Sequence, residues 1–344
     1  MSSKLLFIIN NEKISKEGNN FYCDNIDIKS IPEYLNKNFD VSILARSSRE
    51  KRTREIGLKK IIIAPNILLF LYNIFKTFKE NNKTYLVISI TPYTFLSIVF
   101  LLFFRKKFFL YLRSNGYEEY KSIFGFMGHF IYSIMFKIST YRANVITCQE
   151  RLFAKEKSKI VYPSELTSLW MENIKKVSLD KVKLLYIGRI RIEKGIFSLL
   201  KILDTIQDDT EISIIGNIND ISQKTKLFKN KKIKLLGHGF DASKLINIYD
   251  EHNIFILPSF TEAHPKVVDE SLARLRPVII FEEIKHIIQD RKGIFVCKRN
   301  KEDLIKTINF IMKNYTSIQE SISKNKLPTK KEFFEKMDSI LRSN

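Results

Sequence analysis

The sequence predicts an α/β protein built on two parallel sheets, and three observations carry that expectation. At 344 residues the chain has room for two domains of ordinary size. Short, uninterrupted apolar runs alternate with helix-like stretches, as strands do in parallel sheets covered on both faces. The alternation comes in two series, separated by "VYPSELTSLWMENIKKVSLDKVK" (161–183), which lacks clear periodicity. Two such series imply two Rossmann-like domains.

The first series offers strands at "KLLFIIN", "DVSILAR", "KIIIAP", "TYLVISI", "KFFLYLR" and "ANVITC". The opening "MSSKLLFIINNE" has a short apolar run and no small-residue cleavage site, so it reads as the first strand rather than a signal peptide. The uncharged run "LVISITPYTFLSIVFLLFF" (86–104) has the length of a membrane span. Pro92 divides it, however, into a strand (85–90) and a helix (94–104) too short to cross a bilayer. The second series offers "KVKLLYIGR", "TEISIIG", "KIKLLG", "NIFILPS", "PVIIF" and "GIFVC". Helix-like segments include 67–79, 196–206 and 243–251. The tail "PTKKEFFEKMDSILRSN" predicts an amphipathic helix with Phe333, Phe334, Met337, Ile340 and Leu341 on one side. The expected divisions are a first domain over 1–162, a linker over 163–180, a second domain over 181–327 and a final helix over 328–344.

Composition allows real cores, with 44% hydrophobic residues. The 58 Lys and Arg exceed the 37 Asp and Glu to give a formal charge of +21. That excess points to a polyanionic partner, such as nucleic acid, anionic lipid or a phosphorylated substrate. A coding bias toward Lys gives the same excess. Three scattered cysteines, Cys23, Cys148 and Cys297, have no metal-type spacing and read as reduced thiols in a cytosolic compartment.

The chemistry-bearing stretch is "PSFTEAHPKVVDESLARLRPVII" (258–280). In one continuous helix, Glu262 and Glu270 would stand about 80° apart. Pro265 instead suits the first position of a helix running to about Arg274. Glu262 then lies in the loop before that helix and Glu270 on its second turn, leaning back toward the mouth. The mouth exposes N–H groups that suit an anion. The pattern makes a polar pocket or, equally, a solvated pair of surface glutamates. Upstream, "LLYIGRIRIEKGIFSLL" runs from a strand into a helix starting around Lys194 and Gly195. Gly188 allows a tight turn at the strand end, and Arg189 and Lys194 bracket the crossing. Two cations outside the carboxyl end of a strand, beside a helix N-terminus, are well placed for a diphosphate.

These residues resemble the retaining GT-B glycosyltransferases of the family-four type, the glycosyl transferases group 1. "GRIRIEKG" is followed some seventy residues later by "PSFTEAHPKVVDESLARLRPVI", with "ISIIGNI" and "KIKLLGHGFDASKLINIYDEHNIFILPS" in the expected order. The resemblance covers nearly all of the second domain and rests mainly on architecture in the first. It implies two sheets facing across a cleft, with the final helix returning to the first domain. It implies that Arg189 and Lys194 contact the diphosphate of a nucleotide sugar, UDP- or GDP-linked. By the same resemblance Glu270 accepts from the ribose hydroxyls and Glu262 faces the donor sugar. The backbone of Ala263, His264, Lys266 and Val267 offers amides to sugar and phosphate, and Gly216 matches a glycine beneath the nucleotide. Arg189, Lys194 and Glu262 are thus the implied catalytic set, and configuration is retained by same-face attack with the departing phosphate as base.

Two departures stand out. Ala263 and His264 replace the family's usual glycine and aromatic; His264 either adds a donor to the sugar hydroxyls or caps the loop as an exposed side chain. In the first domain the glycine-rich acceptor loop is represented only by "KEGNNFYCD", with Gly18. In place of a frequent histidine near the scissile bond stands "FFLYLRSNGYEEY", so the acceptor side rests on Arg113 and Asn115. "SNG" is also a good turn. No Asp-x-Asp cluster follows a strand of the donor domain, in keeping with transfer that needs neither metal nor cofactor. Positive groups at the leaving phosphate then carry catalysis, and domain closure would exclude water.

The acceptor is expected to be a saccharide or a lipid-linked sugar in cell-surface polysaccharide or lipopolysaccharide synthesis. "RSSREKRTREIGLKK" (46–60) holds seven basic residues against two acidic, and "SIFGFMGHFIYSIMFKI" (122–138) is nearly all apolar. Together they make an interfacial patch for the inner face of the cytoplasmic membrane, or a core helix beside a solvated loop. Rival readings fit less well. A glycoside hydrolase using the two glutamates leaves Arg189 and Lys194 without purpose. A non-enzymatic protein binding polyanions or a membrane surface remains the alternative, though its nucleic-acid form would interleave aromatics with cations along one groove. A dinucleotide oxidoreductase is disfavoured because no strand is followed by the three-glycine phosphate loop.

Overall fold

The computed structural model describes residues 4–80, 82–153, 158–206, 210–216 and 233–343. Its contacts divide the chain into two units, Met1–Tyr162 with Lys331–Asn344, and Pro163–Lys330.

The first unit runs β1 (Lys4–Glu17), β2 (Asn20–Cys23), α1 (Ile26–Leu35), β3 (Phe39–Ser47), β4 (Arg54–Glu55), β5 (Ile61–Ala64), α2 (Ile67–Lys76), β6 (Lys83–Ile88), α3 (Pro92–Phe103), β7 (Phe108–Leu112), α4 (Gly116–Thr140), β8 (Asn144–Thr147) and β9 (Lys159–Ile160). Its parallel strands lie in the order β5-β3-β1-β6-β7-β8-β9. Side chains alternate across a strand, so β1 feeds two cores. Leu6 and Ile8 pack with Ile28 and Ile31 of α1, while Phe7 and Ile9 pack with residues of α2, α3 and α4.

Three local features differ from the sequence expectation. The first strand does not end at Asn10: its register slips between Ile9 and Lys13, and it continues to pair antiparallel with β2. Gly18 is the exposed corner of that hairpin, with φ 58°. The uncharged run 86–104 splits as expected, but its helix starts at Pro92 itself, where Thr94 accepts from the Thr91 amide at 2.8 Å. Among the described residues no helix is long and apolar enough to cross a membrane. Finally, α4 is broken at Gly125, whose φ of 62° and ψ of −144° only glycine adopts readily.

The second unit runs β10 (Lys183–Ile187), α5 (Ile196–Asp204), β11 (Glu211–Ile215), β12 (Ile233–Gly237), α6 (Ala242–Glu251), β13 (Ile254–Leu257), α7 (Lys266–Ala273), β14 (Val278–Phe281), β15 (Ile294–Cys297), α8 (Lys301–Lys313) and α9 (Tyr315–Ile322). The sheet order β12-β11-β10-β13-β14-β15 is wholly parallel. The order reverses between β10 and β13, a switch point beside which ligands bind in such sheets. Both loops that carry the candidate donor residues leave these two strands.

Segment 163–180 is fixed to this unit. Arg274 and Arg276, both fully buried, donate to the carbonyls of Trp170, Glu172, Asn173 and Lys175. Arg274 also pairs with Asp250 at 2.7 Å, so the buried charge is compensated. The last helix, α10 (Lys330–Arg342), places Phe333, Phe334, Met337, Ile340 and Leu341 in the first unit's core beside α1.

Candidate functional site

The carboxyl ends of β10 and β13 are joined by short contacts. Beyond β10 the chain makes a 3₁₀ turn over Ile192–Lys194, and Gly195 then reverses into the left-handed region at φ 66°. The helix therefore begins at Ile196. Side-chain-free Gly195 is required, because a Cβ there would run into the carbonyl oxygen of Pro258, just past β13. Phe260 donates its amide to the Glu193 carbonyl at 3.0 Å and closes the junction.

This packing brings two of the predicted residues together. Lys194 Nζ donates to Glu262 Oε1 at 2.6 Å, and Ser259 Oγ donates to the same oxygen at 2.7 Å. The pair is largely sheltered, with side-chain exposures of 17% and 13%. Arg189 stays exposed, and among the described residues no carboxylate pairs with it. Its carbonyl accepts from the Tyr186 hydroxyl at 2.8 Å. Burial pushes that phenol well up, and the nearby Glu262 charge adds to the effect. Gly188 and Gly216 end β10 and β11 side by side, since a Cβ on Gly216 would strike the Gly188 carbonyl. Residues 217–220 of "IIGNIND" lie outside the described residues.

Sequence reasoning missed Arg299. It donates to the Pro258 carbonyl at 3.0 Å and to Glu283 at 2.7 Å, and stacks on Phe260 and Phe281, each 4.2 Å from ring centroid. This guanidinium steadies the strand end from which Ser259 and Glu262 project. No sequence motif marks it.

Helix α7 starts one residue later than the sequence indicated, at Lys266, with Pro265 as its N-cap residue. Ala263 is buried and Val267 partly so. Lys266 is drawn to Glu165 at 3.3 Å. Glu270 is buried, and its Oε2 accepts from the Tyr249 hydroxyl at 3.0 Å. Burial raises its pKa from 4.5 to about 7. Of the two readings of His264, the exposed loop cap is corrected: its side chain is buried, and Nε2 lies 2.9 Å from Asp269 Oδ2. Burial alone would raise Asp269, but His264 and Arg291 outweigh it and hold the carboxyl below its usual range. The pair ties the loop to the first turn of α7.

In the first unit the acceptor-side residues do not form one cluster with Gly18. Arg113, at the end of β7, pairs with Asp27 in the first turn of α1 at 2.8 Å. Asn115 precedes α4 and lines a pocket of about 200 Å³ with Ser114, Tyr117, Tyr132 and Arg151. The position where β1 reaches the carboxyl edge is the irregularity at Asn10, not the hairpin at Gly18. Asn10 is buried, and its Nδ2 has no hydrogen-bond partner among the described residues. The polar "NNE" after an apolar run marked this break in the sequence.

Residues 171–327 match the family described as Glycosyl transferases group 1. An uncharacterized glycosyltransferase of Haemophilus influenzae is 24% identical over 157 residues, 41% of this chain and 42% of the relative. The capsular polysaccharide biosynthesis glycosyltransferase CapM of Staphylococcus aureus is 27% identical over 165 residues, 45% of this chain and 42% of the relative. The chain thus spans less than half the length of these relatives. Anabaena HepE, solved in complex with UDP-glucose, shares the fold with a TM-score of 0.71 at 11% identity, covering 99% of this chain and all of the other. The chain therefore has the GT-B fold, and its segment 171–327 is similar to the glycosyl transferases group 1.

Proposed function

We propose that the protein is a glycosyltransferase that moves a hexose from a nucleoside-diphosphate sugar to a saccharide or lipid-linked acceptor. The observation that carries this reading is the Lys194–Glu262–Ser259 cluster, held where the ends of β10 and β13 lock together. An ammonium and the mouths of α5 and α7 stabilise negative charge on a departing diphosphate. Arg189, uncommitted to any carboxylate among the described residues, joins them from the exposed side. Glu270 accepts from hydroxyls of the ribose, and the Ala263–Val267 backbone offers amides to the sugar.

Glu262 Oε1 is committed to Lys194 and Ser259, which makes it a poor nucleophile and supports a binding role. Configuration is then retained by attack on the face the leaving phosphate vacates, with that phosphate as base. The cations supply what a metal would otherwise supply. On the first unit, Arg113, Asn115 and Asn10 present polar groups to the acceptor. The likeness to CapM favours cell-surface polysaccharide synthesis, on the inner side of the cytoplasmic membrane and peripheral to it.

A thermal-shift panel of UDP- and GDP-sugars tests the reading. One donor class is expected to stabilise the protein. Lys194→Ala is expected to lower turnover with that donor by at least about a hundredfold while leaving circular dichroism unchanged. Full transfer by that variant would remove the diphosphate assignment.

A further inference from the structure

Exposed apolar side chains are concentrated on one part of the first unit. Among the described residues, seventeen of the twenty-seven large hydrophobic side chains that stand exposed fall between Leu68 and Tyr141, on α2, α3 and α4 or just past them. These helices cover the same sheet face, each packing its other side into the core around Phe7, Val87 and Leu110. They are neighbours: α3 packs against both α2 and α4, and Phe75 of α2 lies 5.7 Å from Phe104. An amphipathic helix normally turns its polar side outward; here the outward side is apolar as well. The projection is greatest at the Gly125 break, where Phe126 is 87% exposed, and at Phe103, which is 79% exposed.

The charge around this surface is predominantly positive. Between residues 66 and 142 there are ten basic residues against three acidic. Lys76, Lys79, Arg105, Lys107, Lys137 and Arg142 are exposed on or beside the three helices. Of the three acids, Glu80 is paired with Lys83, and Glu118 and Glu119 lie in the first turn of α4. The basic loop 46–60, expected from sequence to complete the patch, is largely occupied elsewhere. Lys51 pairs with Glu17, Arg52 with Asp24 and Glu50, and Lys60 with Asp40, while Arg46 stacks on Tyr93.

We propose that the outer face of α2, α3 and α4 docks on an anionic lipid bilayer, with Phe103, Phe126 and Phe130 entering the acyl boundary and the surrounding cations meeting lipid phosphates. Protruding phenylalanines suit a fluid partner that needs no matching pockets, and the predominantly positive rim suits an anionic leaflet. A second copy of the chain fits poorly, because it would bring the same cations together on molecules already at +21. The inference rests on the peripheral placement proposed above and names the surface that achieves it. Its test needs no donor or acceptor.

The full chain is floated with vesicles of phosphatidylcholine alone and of phosphatidylcholine with phosphatidylglycerol. Wild type is expected to float with the anionic vesicles, less so as salt is raised, and weakly with the neutral ones. Phe126→Asp with Phe130→Asp is expected to cut partitioning by about tenfold or more, and Phe103→Asp in another helix to do so independently. Lys76→Glu with Lys107→Glu should abolish the preference for anionic lipid, whereas Arg49→Glu with Lys59→Glu in the basic loop should change little. Thermal melts check that each variant is folded. No flotation by wild type, flotation unmoved by all three phenylalanine changes, or light scattering showing a dimer that these changes dissociate would each overturn the proposal. Donor binding by thermal shift is read separately, so loss of one leaves the other standing.

Discussion

Glu270 is a carboxyl kept out of water, and its environment makes a pH signature. In the unfolded chain it titrates near 4.5, and in the folded protein burial moves it to about 7. Below 4.5 it is neutral in both states and costs nothing. Between 4.5 and about 7 the unfolded chain ionises freely while burial keeps the folded carboxyl protonated, so stability falls across that window and levels off above it. Glu270→Gln is therefore expected to raise thermal stability above pH 7 by roughly 3 kcal/mol and to have little effect in acid. Donor affinity should move oppositely in the parent protein. An ionised carboxylate accepts hydroxyls better, so the dissociation constant measured by calorimetry should tighten through pH 7 and flatten in the variant. The sequence made Glu262 and Glu270 conspicuous, but not what each would meet. Lys194 and Glu262 are 68 residues apart, and only the parallel crossover from β10 to β13 makes them touch. The exposed-cap reading of His264 failed because its partner, Asp269, sits in the next turn, where side-chain direction rather than spacing decides the contact.

Elements were legible in proportion to their apolar content. All twelve runs read as strands are strands in the structure, since a buried parallel strand advertises itself as a continuous apolar stretch. The short pieces β2, β4 and β9 were not, because two to four residues of mixed polarity carry no period. The second half of β1 was hidden for the same reason: "NNEKISKE" reads as a loop until β2 returns beside it. The helix near Lys194 was placed two residues early because Gly195 was taken as part of it, whereas its positive φ makes it the hinge before the helix. Gly195→Ala is accordingly predicted to destabilise the second unit by roughly 2–4 kcal/mol in urea denaturation, from left-handed strain and collision with Pro258. The same change should displace Lys194 and weaken donor binding, which Ala at an ordinary helix start would not do.

At the scale of the molecule, the two-series pattern of the sequence corresponds to the two units, but the segment read as a linker between them groups with the second. Buried arginines are the reason. Arg274 and Arg276 spend their donors on backbone carbonyls of 170–175, an interaction no side-chain periodicity encodes. The C-terminal helix was legible through its apolar side, and its five core residues fill the first unit. Met337→Asp in the full chain is predicted to lower the stability of that unit by roughly 3–5 kcal/mol by placing an unpaired carboxylate in the core. Scanning calorimetry should show the first unit's transition moving down while that of the second, which lacks this helix, stays in place.

The membership of α10 also sets an order of events on the ribosome. Residues 163–330 form one uninterrupted piece and can complete their fold as soon as they emerge. The piece made first must wait with the flank of its sheet around Ile28, Ile31 and Leu35 uncovered until 331–343 have been synthesised. The portion before residue 163 thus matures after the portion that follows it, and a nascent chain stalled before Phe333 would carry a finished second unit tethered to an open, chaperone-seeking first.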